Sequence, residues 1–176
     1  MATGIVVLAV LIAAVAIFSS FLKSEETYIS AETSGIRVGA LNCKTSQPSD
    51  SFFVSNTALN NDHELKVTYS GERIGRINYI YNGEYDSNDT ADTAGSLLHA
   101  DYNIYMGENA ESLYPTFSVV ENKLKISLYT EYQKLNAKNA KLFFMNADEY
   151  HESSNYSIHD LKKIYESKGF SCEISE

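Results

Sequence analysis

Residues 65–85 read LKVTYSGERIGRINYIYNGEY. Leu65, Val67 and Tyr69 alternate with Glu64, Lys66 and Thr68. Successive strand side chains point to opposite faces, so this run predicts a strand with one buried face. Ser70-Gly71-Glu72-Arg73 supplies a turn. Ile74 to Tyr81 follows as a second strand rich in Ile and Tyr, ended by Asn82-Gly83. The stretch is therefore a β-hairpin.

Working outward, the same pattern recurs. Thr116–Val120 forms one arm of a second hairpin and Lys123–Thr130 the other. In the second arm Leu124, Ile126 and Leu128 alternate with Lys123, Lys125 and Ser127, and Glu121-Asn122 makes the reversal. Between the hairpins, Asp89 to about Met106 predicts a helix. Asp89 is its expected N-cap and Asp92 suits the positive end of the dipole. Ala94, Leu97, Leu98, Tyr102 and Tyr105 share a broad face. A short helix is expected over Ala137–Met145. A last helix follows Ser157, with Asp160 completing a capping box. Ile158, Leu161, Ile164 and Tyr165 form its stripe, Lys168 favours its carboxyl end and Gly169 stops it. Ile36–Lys44, Ser51–Asn56 and Phe170–Ile174 are the remaining expected strands.

The chain has 176 residues, with 14 Lys+Arg against 23 Asp+Glu and a net charge of −9. Every charged side chain lies at or beyond Lys23. Residues 2–22 read ATGIVVLAVLIAAVAIFSSFL, and a helix of ~21 residues at ~1.5 Å rise spans about the hydrocarbon core of a bilayer. This predicts a single-pass signal anchor over residues 1–22. Ala14-Val15-Ala16 fits a small-x-small cleavage site, so a cleaved signal peptide is the other reading. A polar linker is expected over residues 23–35 and one domain over 36–176. The expected fold class is α+β: a single-pass N-terminal hydrophobic helix followed by an antiparallel sheet of hairpins with two or three helices. With 44% hydrophobic residues the chain can build a core, which excludes a disordered tail. The acidic balance without a basic stripe excludes nucleic acid as a partner. Only one stretch is apolar enough to span, which excludes a polytopic membrane protein.

Cys43 and Cys172 sit one near each end of the domain. In an exported chain they are expected to form a disulfide; two unrelated buried thiols are the alternative. No catalytic motif is present: the chain lacks G-x-S-x-G, H-E-x-x-H, a P-loop and G-x-G-x-x-G. Asp86 to Leu97 resembles an EF-hand opening but has Ala91 at the glycine position and Leu97 at the bidentate acid. His151 and His159 match no zinc spacing. No metal or cofactor is expected. The compositional oddity is 13 tyrosines. Tyr79, Tyr81, Tyr85, Tyr102 and Tyr105 crowd the middle of the chain, where an apolar body with a polar tip suits a binding surface. Strands of a half-buried sheet would use the same residues.

The run at 65–85, the helix after it, FSVVENKLKISLYTEYQKLNAKNAK at 117–141 and LKKIYESKGFSCEI at 161–174 resemble the YehR-like family of small bacterial lipoproteins. The resemblance covers about Leu65 to Ile174. It implies an extracytoplasmic α+β domain and carries over no catalytic residue. A lipoprotein needs a Cys directly after its hydrophobic signal, and the first Cys here is Cys43. An anchor helix is therefore expected to replace the lipid.

The expected function is a membrane-anchored, extracytoplasmic domain of non-enzymatic type that binds an envelope partner or ligand. Its expected place is the cell membrane, held through residues 2–22, or outside the cell if that segment is cleaved. A pilin-like assembly subunit is the runner-up, although pilin helices place an acid early in the apolar run and Ile5 to Leu22 has none. A secreted enzyme is the third reading.

Overall fold

A computed structural model of the protein describes residues 38–107, 113, 115–152 and 156–176. Its frame is a six-stranded antiparallel sheet in the order β4-β5-β3-β2-β1-β6. The strands are β1 (Val38–Thr45), β2 (Asn60–Ser70), β3 (Arg73–Glu84), β4 (Thr116–Val120), β5 (Lys123–Glu131) and β6 (Ser171–Ser175). Two α-helices accompany them, α1 (Asn88–Met106) and α2 (Ile158–Ser167). Short 3-10 turns occupy Tyr132–Lys134 and Asn139–Phe143.

The two hairpins read from alternation are the centre and one edge of this sheet. Gly71 takes φ 61 in the turn between β2 and β3, and Glu121 takes φ 57 between β4 and β5. Pairing in β2–β3 sets Leu65 opposite Tyr79 and Val67 opposite Ile77. A bulge follows, because Tyr69 pairs with Ile74. The extra β3 residue lets Ile74 and Ile77, three apart, both point into the core. The Arg76 amide, beside the bulge, donates to Thr68 Oγ1 at 3.1 Å.

One face of the sheet is covered. α1 packs on β4 and β5, and α2 on β6 and β1. Ser87, rather than Asp89, caps α1: its hydroxyl accepts the Thr90 amide at 3.2 Å. Ser157 precedes α2 without a side-chain cap, and Gly169 ends that helix at φ 89.

The expected fold class needs correction. Among the described residues there are two α-helices, and no helix is long and apolar enough to cross a membrane. The single-pass helix expected at residues 2–22, and with it the membrane as a partner, lies outside the described residues. The helix expected at Ala137–Met145 is the 3-10 turn at Asn139–Phe143, stopped by Phe144 in the left-handed region at φ 63. Ala140, Leu142, Phe143, Phe144 and Met145 are all buried, while Lys141 is the one exposed residue between Lys138 and Asn146. Four consecutive residues therefore enter the core together, and no helical face can hold them all. The strand expected at Ser51–Asn56 is also absent. Ser51 Oγ donates to the Phe53 carbonyl at 3.1 Å, which bends the chain and drops Phe53, 0% exposed, into the core.

Candidate functional site

The tyrosines singled out in the sequence do converge, but on the covered face. Tyr79, Tyr81, Tyr85 and Tyr102 are all buried. Phe53 stacks on Tyr79 and Tyr102 with ring centroids 5.9 and 6.3 Å away. Phe144 meets Tyr79 edge-on at 5.3 Å. Polar tips are satisfied inside: a 2.8 Å hydrogen bond joins Tyr79 Oη and His63 Nδ1. Tyr81 Oη donates to Asn61 Oδ1 at 2.7 Å and lies 3.2 Å from Tyr85 Oη. Tyr102 donates to the Leu113 carbonyl. Burial pushes the Tyr79 and Tyr81 phenols far up and pushes the His63 imidazole down to about 4. Gly83 completes the fit, since an added Cβ there would come within 2.5 Å of Tyr81 Oη. These four rings are core, not a binding surface. Tyr105 alone of the five is half-buried, donating to the Lys138 carbonyl at 2.7 Å with Lys138 Nζ 5.4 Å over its ring.

The other face of the sheet is a different surface. Antiparallel partners share a face, so the registers lay out whole rows. One row runs Thr116, Ser127, Ile80, Glu64, Lys44, Ser171 from edge to edge. The next runs Tyr129, Asn78, Lys66, Asn42, Glu173. Every one of these side chains is exposed or half-buried, even on the central strands. Between the rows lies a shallow recess of about 110 Å³ lined by Asn42, Lys44, Glu64, Lys66, Asn78 and Ile80. Asn42 and Asn78 are shorter than the residues around them, which makes the depression. Lys44 Nζ meets Glu64 Oε1 at 3.1 Å on its rim. Tyr129 stands 62% exposed with the Arg76 guanidinium 5.8 Å over its ring. The arrangement offers amide and carboxylate hydrogen-bonding groups, ammonium charges and one apolar floor residue, Ile80. Such groups can hydrogen-bond and pair with a polar or charged ligand.

A second recess, of about 390 Å³, is lined by Asp50, Ser51, Phe52, Lys141 and Asn146. Beneath it Lys168 is almost fully buried and meets Asp50 and Glu149 at 3.3 Å each. Those pairs tie the end of α2 to two loops, a structural task. His151 packs its ring on Tyr156 at 4.9 Å. Among the described residues no three His, Cys, Asp or Glu side chains gather as a metal site.

Cys43 and Cys172 form a disulfide across the directly opposed β1–β6 pair. The bond uses both cysteines of the sequence, so neither is free to carry a lipid.

Among the described residues this is thus an antiparallel-sheet domain with helices and loops packed on one face and none on the other. The fold is shared with the YehR protein of E. coli, whose NMR structure is similar at a TM-score of 0.52 and 10% identity, over 79% of this chain and 93% of that one. The chain belongs to the family described as a domain of unknown function (DUF8824), whose model matches residues 42–176. The NMR structure of a protein from Streptococcus pneumoniae TIGR4 is also similar, at 12% identity over 84% of this chain and 90% of that one, with a TM-score of 0.41. No curated protein matches.

The open-face residues were absent from the tyrosine-led reading of the sequence. Their signal was present in it: the polar partners of each alternation, Glu64, Lys66, Lys125 and Ser127, are this face. Asn42 and Lys44 needed the β1–β2 register as well.

Proposed function

We propose that this domain acts outside the cytoplasm as a non-catalytic binding module, and that the open face of the sheet, around Asn42, Lys66, Asn78 and Ile80, is where it meets an envelope partner or ligand. One observation carries the reading. The two longest strands, β2 and β3, lie near the middle of the sheet, and one face of them is left to solvent. Buried central strands serve stability; an uncovered face with a recess and mixed charges is free to serve recognition. The disulfide supports an oxidising compartment.

The test uses whole producing cells. A photo-crosslinking residue replaces Asn78 on the open face or Ser96 on the exposed side of α1. Position 78 is expected to give a discrete adduct that Lys66→Glu removes, and position 96 none. Surface protease on intact cells is expected to cut the domain. A protected domain would reverse the location, and equal adducts at both positions would refute the face.

A further inference from the structure

We infer that two copies of this chain join edge to edge through β4, in an antiparallel pairing centred on Ser118. Among the described residues nothing extends the sheet beyond β4 on one side or β6 on the other. An edge strand presents unpaired backbone groups, and proteins that must stay apart place charge there. β6 follows that rule: Glu173 is the middle residue of Ser171–Ser175. Two β6 strands paired antiparallel about their centres would set Glu173 against Glu173. β4 does not follow it. Thr116-Phe117-Ser118-Val119-Val120 has no charged side chain, in a chain of net charge −9 whose copies otherwise repel. Val120 is 69% exposed, and Phe117 and Val119 are only partly covered by the core.

The hairpin sets the register. Its two-residue turn, Glu121-Asn122, closes on the Val120–Lys123 pair. Such a turn closes on a hydrogen-bonded pair, and the bonds alternate along the strand. Val120, Ser118 and Thr116 therefore bond to β5. The amides and carbonyls of Phe117 and Val119 are directed outward. About a twofold axis at Ser118, Phe117 of one copy exchanges both backbone hydrogen bonds with Val119 of the other. Thr116 then lies beside Val120 of the second copy and covers its exposed surface. β4 is self-complementary in this pairing, which is the requirement for an isologous contact. The result is one continuous sheet of two domains, with both open faces on the same side.

The test uses the full chain in a mild detergent. In the paired dimer the two Ser118 positions form a non-hydrogen-bonded pair, ~4.5 Å between Cα atoms, close enough for a disulfide. Both native cysteines are already joined, so Ser118→Cys adds the one free thiol. Mild oxidation is expected to give a linked dimer on non-reducing gels, while Ser171→Cys on the opposite edge stays monomeric. Sedimentation velocity is expected to show a concentration-dependent dimer for the native chain. It is expected to show a monomer for Ser118→Lys, which brings two ammonium groups together at an exposed position. Equal cross-linking at both edges, a native chain that is monomeric throughout, or a dimer that survives Ser118→Lys would each overturn the inference. The last outcome would place the contact on another surface, such as residues 2–22.

Discussion

Tyr79 and Asn78 are neighbours in β3, yet they belong to opposite worlds. The Tyr79 ring is 1% exposed, stacked on Phe53 and bonded to His63. The Asn78 amide lines a recess open to solvent. The same contrast repeats along β2, where His63, Leu65 and Val67 face inward and Glu64 and Lys66 outward. What the difference teaches is a division of labour. The covered face holds the stability, because each buried aromatic removes a large apolar area from water. The open face buries far less apolar area and so contributes less to stability.

The sharpest way to break the comparison is Tyr79→Ala. It removes a buried ring and leaves His63 Nδ1 without its partner, so a loss of about 3–5 kcal/mol is expected from urea denaturation. A loss under about 1 kcal/mol would mean that the covered face is not the stability reservoir.

The pair Cys43→Ala with Cys172→Ala comes next. The sequence separation is 129 residues, and a bond closing a long loop restricts the unfolded chain strongly. Roughly 2–5 kcal/mol should be lost, measured by urea denaturation, with a steeper slope because the unfolded chain without the bond exposes more surface. The effect should fall on stability alone. An accompanying loss of binding in the folded protein would show that β1 and β6 need the bond to shape the recess.

His63 tests the covered face by pH. Burial lowers its pKa from 6.5 to about 4, while Asp62 acts weakly the other way. The unfolded chain therefore takes up this proton at a higher pH than the folded one. Its contribution is complete above about pH 6.5 and disappears as pH falls through about 4. The whole effect is on the order of 3 kcal/mol at about 1.4 kcal/mol per unit. His63→Phe should flatten the stability profile across that window, at the expense of the hydrogen bond to Tyr79. A profile that keeps its slope would assign the acid sensitivity to carboxylates instead.

How much of this was legible in the sequence depends on how far apart the interacting residues are. Alternation at Leu65-Val67-Tyr69 and Leu124-Ile126-Leu128 is local, so both hairpins could be read directly. The tyrosines were visible as a cluster, but their direction needed register: Tyr79 lies opposite Leu65 and Tyr81 opposite His63, which places both rings inside. The segments at Ser51–Asn56 and Ala137–Met145 misled because an apolar run without periodicity says only that it will be buried. Phe53 and Phe143 are buried, in chain that is neither strand nor α-helix. The recess was least legible, since β1, β2 and β3 each contribute a part and none shows a motif.

The smallest expected stability effect bears most directly on function. Lys66→Glu should change stability by no more than about 0.5 kcal/mol, because Lys66 is exposed. Lys44→Ala should do little more, since its ion pair with Glu64 is solvent-screened and such pairs are worth about 0–1 kcal/mol. Both variants reshape the charge around the recess without touching the covered face. If the two faces divide as described, these substitutions leave the denaturation curve in place and abolish the cross-linked adduct at position 78. A loss of more than about 1 kcal/mol from Lys66→Glu would make the open face structural after all. The separation of stability from recognition would then have to be given up at this sheet.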